Sequence, residues 1–225
     1  MKRSRVRWVI AAALAAGALA ACSSAVRQSP AQGAAPLSPS QQAAADSGRP
    51  PFTAETVHFM SGMIGHHAQA VLIAGWAPSH GASPTLQALC ERIVVSQRDE
   101  IGLMKRWLSD RHLPVPSGDA SHDMMPGMEH MAGMDHAMMP GMLNAAQLTA
   151  LDNARGADFD RLFLADMIQH HEGAITMVNQ LFASSGALQD DAVFKFASDV
   201  NADQTTEIDR MTQMLSSLQT TTRSP

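Results

Sequence analysis

The chain of 225 residues is 45% hydrophobic, with 16 Met, 10 His, two Cys and no Tyr, and its formal net charge is −5. An acidic balance without a basic stripe argues against a nucleic-acid binder and a basic membrane-surface patch, and is compatible with attracting cations. Only Cys90 remains beyond Cys22, so no internal disulfide is available, and neither a CxxC pair, a glycine-rich phosphate loop nor a Ser-His-Asp arrangement is legible.

Residues 1–21 read as a secretory signal: Lys2, Arg3, Arg5 and Arg7 precede an apolar run, Trp8 to Ala21, too short for a stable anchor. The string Leu19-Ala20-Ala21-Cys22 looks like a bacterial lipobox. Cys22 is therefore expected to be lipidated and to hold the chain to a membrane of the cell envelope, outside the cytoplasm. Residues 1–21 contain four basic and no acidic side chains, so without them the net charge moves from −5 to −9. Residues 22–51 are rich in Ala, Ser, Gln, Pro and Gly without apolar period, and read as a disordered tether.

Residues 52–218 suit one domain with a single core, and nothing in them alternates as a strand would, so the domain reads as all-α. A first helix is expected over 53–77, stopped by Pro78. A second starts with Ser83 as N-cap and Pro84 in its first turn, and runs to about Arg111. Residues 113–143 form a long loop, after which Asn144, with Gln147 at the capping-box position, opens a short helix. Asp158 is expected to cap a third long helix that ends before Gly186, and a fourth fills 187–218 ahead of a tail, 219–225. Two short-linked hairpins, 52–112 and 144–218, predict an antiparallel four-helix bundle.

The hairpins repeat one another. Phe59-Met-Ser-Gly-Met-Ile-Gly-His-His returns as Phe163-Leu-Ala-Asp-Met-Ile-Gln-His-His, and Gln97, Glu100, Ile101, Met104 and Leu108 return as Gln204, Glu207, Ile208, Met211 and Leu215. A repeat of this size sets the architecture. At 100° per residue, His66 and His67 straddle Met63 inside the apolar stripe, while Ser61, Gly65, Ala68 and Gln69 face away. His170 and His171 straddle Met167, with Met177 close to His170, and Glu172 points to solvent. Gln97 and Gln204 fall within the facing stripes and Glu100 and Glu207 at their edges, placed to hydrogen-bond the imidazoles, either in a structural network or behind metal-bound rings. Cys90 reads as a buried small hydrophobe.

The loop is the more specific signal. Residues 122–142 hold half of the 16 Met, namely Met124, Met125, Met128, Met131, Met134, Met138, Met139 and Met142, together with His122, His130 and His136. Gly and Pro exclude a long helix there, so the Met are not a core stripe. Thioether sulfur selects Cu(I), and by the same softness Ag(I), over Zn(II) or Mg(II). It carries no proton to lose and stays available where thiols would oxidise. Neutral imidazole adds ligands for Cu(II).

The segment FDRLFLADMIQHHEGAITMV, residues 159–178, resembles the signature of the domain-of-unknown-function 305 family, in two copies across about 52–218, the second copy being the better match. The resemblance implies ferritin-like four-helix bundles, secreted or membrane-tethered, with members tied to copper or silver. By position it implies Met63, His66, His67, Met104, Met167, His170, His171, Met177 and Met211 as metal ligands. The first copy departs at Ile73 and Ala68, where the second has Met177 and Glu172, which implies a weaker first site.

These observations together predict a non-catalytic copper-binding lipoprotein, for Cu(I) first and also Cu(II) or Ag(I), that sequesters the ion or passes it to a copper-handling partner protein. A ferritin-like di-iron oxidase would need inward carboxylates with paired Glu-x-x-His motifs, and only Glu55–His58 has that spacing. A structural or interaction bundle whose His and Gln satisfy one another is the other alternative.

Overall fold

The computed structural model describes residues 48–118 and 139–221, and among these all regular structure is helical. The five helices are α1 (Ala54–Ala74), α2 (Pro84–Asp110), α3 (Ala145–Asn153), α4 (Ala157–Ala183) and α5 (Asp191–Thr221). The expected signal over 1–21, Cys22 and most of the tether, together with Met124, Met125, Met128, His130, Met131, Met134, His136 and Met138, lie outside the described residues.

The helix starts follow local chemistry. Thr53 and Thr56 form a reciprocal capping box at α1, and Ser83 with Pro84 opens α2 as expected. Asn144 and Gln147 form the expected box at α3. Three boundaries differ from expectation. α1 ends at Ala74 rather than near Ala77 because Pro78 has no N–H to give the Ala74 carbonyl, which takes the Ala77 N–H at 3.3 Å instead. α4 is opened by Gly156, at φ 57°, and not by Asp158. The Gly156 N–H donates to the His80 carbonyl at 2.8 Å, a left-handed entry that favours Gly, and it leaves Asp158 in the first turn, paired with Arg161 at 2.7 Å. α5 starts at Asp191 rather than Ala187, because Asp190 Oδ1 accepts from the Ala192 N–H at 2.9 Å and acts as the cap.

α1 packs on α2 and α4 on α5, giving two antiparallel hairpins, and α1 meets α4 between them while α3 lies on α4. The molecule is thus the four-helix bundle that the two hairpins predict. Its core divides into two apolar clusters. One contains Phe59, Met63, Met104, Met177 and Phe196; the other contains Ile73, Leu86, Phe163, Met167 and Met211. Burial of these side chains, each worth about 1.5–3 kcal/mol, is the main force holding the hairpins together.

The outward face expected for α1 is not outward. Ser61, Gly65, Ala68 and Gln69 are all buried, so α1 is covered all round over 59–70. On the Gln69 side the cover is the chain entering α3: Gln69 donates to the Leu143 carbonyl at 3.1 Å and accepts from the Leu143 N–H at 2.8 Å. No described helix is long and apolar enough to cross a membrane.

Candidate metal centre

Antiparallel crossing of α1 and α4 brings the two His-His pairs to one level between the apolar clusters, with all four rings fully buried. His66 and His170 lie face to face, ring centroids 3.8 Å apart and planes at 38°. His67 Nε2 donates to Glu100 Oε2 at 2.6 Å, and His171 Nε2 donates to Glu207 Oε2 at 2.7 Å. Each hairpin therefore closes its own imidazole–carboxylate pair, and the pairs are related by the sequence repeat. His66 Nε2 donates to the Pro140 carbonyl at 3.0 Å.

These bonds fix the Nε2–H form on His66, His67 and His171 and leave Nδ1 with a free lone pair when the ring is neutral. No protein group meets the Nδ1 of any of the four rings, nor His170 Nε2. Burial, and secondarily the neighbouring His67, pushes His66 down to about 3. Burial first and His66 second hold His170 well below the usual imidazole range. Both rings of the central pair are thus neutral at physiological pH, the state in which imidazole binds metal.

The glutamates stand where expected, but the glutamines do not hydrogen-bond the rings. Gln97 Nε2 and Oε1 and Gln204 Oε1 are buried without a partner. Gln97 lies in the buried stripe as the helical wheel places it, yet the stripe alone does not show that His67 and His171 reach Glu100 and Glu207 instead. Both glutamines line the groove between α2 and α5. The hydrogen-bond partners of His67 and His171 are the glutamates, and none of the four rings bonds Gln97 or Gln204 directly.

The bundle Met divide about this layer. Met63 and Met104 are buried in the first cluster, Met167 and Met211 in the second, and Met177 in the first at 6% exposure. For Met63 and Met167 the antiparallel crossing causes this, since each precedes its own His pair by one turn. Among the described residues no three His, Cys, Asp or Glu side chains converge on a point that could hold a metal ion. The available donors are neutral imidazole nitrogen and thioether sulfur, which suit a soft or borderline ion far better than a hard one. Cys90 is buried in the second cluster, its thiol pushed up to about 12, chiefly by burial. Glu172 is exposed, as read from the wheel.

The C-terminal end of the Met-rich segment is fastened directly above the His layer. Gly141, at φ 78°, lies against Gly173 of α4 so closely that a Cβ on Gly173 would stand 2.1 Å from the Pro140 carbonyl oxygen. Gln169 Nε2 donates to the Gly141 carbonyl at 3.4 Å. Residues 139–143 thus form a strap across α1 and α4, held by His66, Gln69, Gln169 and two glycines. Met139 packs on the first cluster and Met142 is half-buried.

Two cavities reach this region. A groove of about 670 Å³ runs between α2 and α5 and is lined by Gln97, Glu100, Asp203, Gln204 and Glu207, so it ends on the carboxylates that hold His67 and His171. Its charge crowding shows in Asp203, whose carboxyl is raised by burial and then by Glu100 and Glu207. A second cavity, about 370 Å³, lies at the start of α1 and the end of α4 and is lined by Glu55, His58, Phe59, Met139, Pro140 and Met177. Neither the Pro140 carbonyl nor His58 is read as part of the site from sequence. The first is a backbone group without a signature, and the second sits outside the repeated motif.

Comparison with known proteins agrees with the helical-bundle fold. The chain resembles the crystal structure of a DUF305 fragment from Deinococcus radiodurans, with 27% identity and a TM-score of 0.60 over 74% of this chain and 99% of that one. It resembles CopM in its Cu(II)-bound form, with 27% identity and a TM-score of 0.55 over 72% of this chain and 96% of that one. CopM in its Cu(I)-bound form is similar at 27% identity and a TM-score of 0.54, over 74% and 98% of the two chains. An uncharacterized protein, L153, of Acanthamoeba polyphaga mimivirus is 33% identical over 55 residues, which are 24% of this chain and 36% of that relative. Residues 56–215 match the family described as Domain of unknown function (DUF305), and the chain belongs to that family.

Proposed function

We propose that this protein binds copper, as Cu(I) first and also Cu(II) or Ag(I), outside the cytoplasm, and that it holds or hands on the ion without catalysing a reaction. The observation that carries the reading is the physical continuity of the Met/His-rich segment with the His layer: its last residues are strapped over His66 and His170. Thioethers in the segment capture a soft ion, and the neutral, partly unpartnered imidazoles below supply nitrogen donors. The similarity to CopM, solved with Cu(II), Cu(I) and Ag, supports the choice of metal. The location outside the cytoplasm rests on the expected signal over 1–21 and lipid anchor at Cys22. Delivery to a copper-handling partner protein is part of the same reading.

The test is competition for Cu(I) against a chromogenic chelator. The wild-type chain should withdraw several equivalents of Cu(I). Replacing Met124, Met125, Met128, Met131, Met134 and Met138 by Ser, with the strap 139–143 kept intact, should remove most of that capacity. A wild-type chain that leaves the chelator's colour unchanged would sink the proposal.

A further inference from the structure

We propose a discrete soft-metal site, separate from the central His layer, in the cavity at the start of α1 and the end of α4, with His58, Met139 and Met177 as its donors and a monovalent Cu(I) or Ag(I) as its occupant. It rests on the copper reading above and names one place where a single ion would sit.

The two halves of the chain differ at this cavity. The register that pairs Phe59 with Phe163 pairs His58 with Leu162 and Met177 with Ile73. At the pseudo-equivalent end of the bundle, Ile73 is fully buried among Phe159, Leu143 and Leu151, and α3 covers that end. At Ile73 a hydrocarbon side chain is what packing alone selects, while Leu162 is exposed at 37%. At the cavity's own end of the bundle both positions change together, to an imidazole and a thioether, and both line one 370 Å³ cavity. A third donor arrives from elsewhere in the sequence: Met139, the first residue of the strap, lines the same cavity and packs on the same cluster as Met177.

The chemistry of the set is selective. Two thioethers and one imidazole are all neutral donors, and softness directs them to Cu(I) and Ag(I) rather than to Zn(II), Mg(II) or Ca(II). Glu55, on the same wall, offers one negative charge to balance a monovalent ion. Met177 is held in the core at 6% exposure while His58 is more accessible, so the donors are arranged from floor to mouth and an ion could enter without opening the bundle. Because Met139 also begins the strap over His66, this cavity lies where an ion captured by the Met-rich segment first meets the folded helices.

The full chain, wild type and the double variant His58→Leu/Met177→Ile, would be titrated with Ag(I). The bound ions are counted by native mass spectrometry, and Met methyl groups are followed by ¹³C NMR. The variant carries the side chains that the other half uses at the equivalent positions. In the wild type the Met139 and Met177 methyl resonances should shift together on silver addition. The variant should bind one Ag(I) fewer and lose the Met139 response. An unchanged silver count in a folded variant, or wild-type Met139 and Met177 resonances that stay fixed through excess silver, would overturn the site. If the variant does not fold, the wild-type methyl response alone decides. Silver bound without that response refutes only this site, whereas a wild-type chain that binds no silver also refutes the copper reading.

Discussion

At the scale of single residues, the His layer sets two opposing demands. His67 and His171 each rely on one carboxylate, at 2.6 and 2.7 Å, and lie in fully buried positions. Glu100→Ala or Glu207→Ala leaves an imidazole N–H unpaired in the core and should destabilise the metal-free protein by about 1–3 kcal/mol. The two losses should be similar, because the repeat places the two pairs alike. Urea unfolding of each variant measures this. His66 works in the other direction. In the folded chain it titrates near 3, and in the unfolded chain at about 6.5. Between those values the unfolded state holds more protons, so stability is intact above about pH 6.5 and declines as pH falls toward 3. Acidifying the metal-free protein from pH 7 to pH 4 should therefore cost about 2–4 kcal/mol from this ring. His66→Gln should flatten that part of the profile in chemical denaturation at the two pH values.

At the scale of elements, the strap is the feature that ties loop to bundle, and Gly173 is its seat. In an ordinary exposed helix position Gly→Ala gains about 1 kcal/mol. Here the added methyl would meet the Pro140 carbonyl at 2.1 Å, so Gly173→Ala should instead destabilise, by about 1–3 kcal/mol. It should also raise amide hydrogen exchange at residues 141–143. Protected amides in the variant would refute this account.

The same elements show what a sequence can and cannot disclose. The hairpins were legible because apolar residues recur at the helical period and because Ser83-Pro84 and Asn144–Gln147 are strong start signals. The Gly156 entry was hidden by Asp158, a carboxylate that normally favours a cap but here follows a left-handed residue tied to His80. The strap was hidden because Gly141 on Gly173 is a meeting of backbones. Its contact on α1 runs partly through Gln69, which a helical wheel assigns to solvent and the structure buries against Leu143. The metal-ligand types were legible from composition; their grouping in space depended on the antiparallel crossing and on where the chain returns at Pro140.

At the scale of the whole molecule, the two hairpins are joined at the first cluster's end by a buried polar knot. Asp190, capping α5, accepts from Trp107 Nε1 at 2.9 Å and from Arg111, both at the end of α2. Arg111 also lies over the Trp107 ring, 4.1 Å from its centroid. Breaking such a pair from one side strands the other charge, so Arg111→Ala should cost about 3–5 kcal/mol. A thermal unfolding midpoint within about a degree of wild type would refute this.

The duplication has one more consequence, for covalent continuity. Most helix packing within a half is local to its hairpin, and the halves meet through α1 and α4 and through side chains. A single peptide-bond cleavage anywhere in 119–138 would therefore turn the fold into a two-fragment complex with each hairpin whole. The second fragment would keep the strap and reach across to clasp His66 and Gln69 of the first. Association would then depend on concentration, as it does between subunits, and the central imidazole pair would become a junction between two molecules.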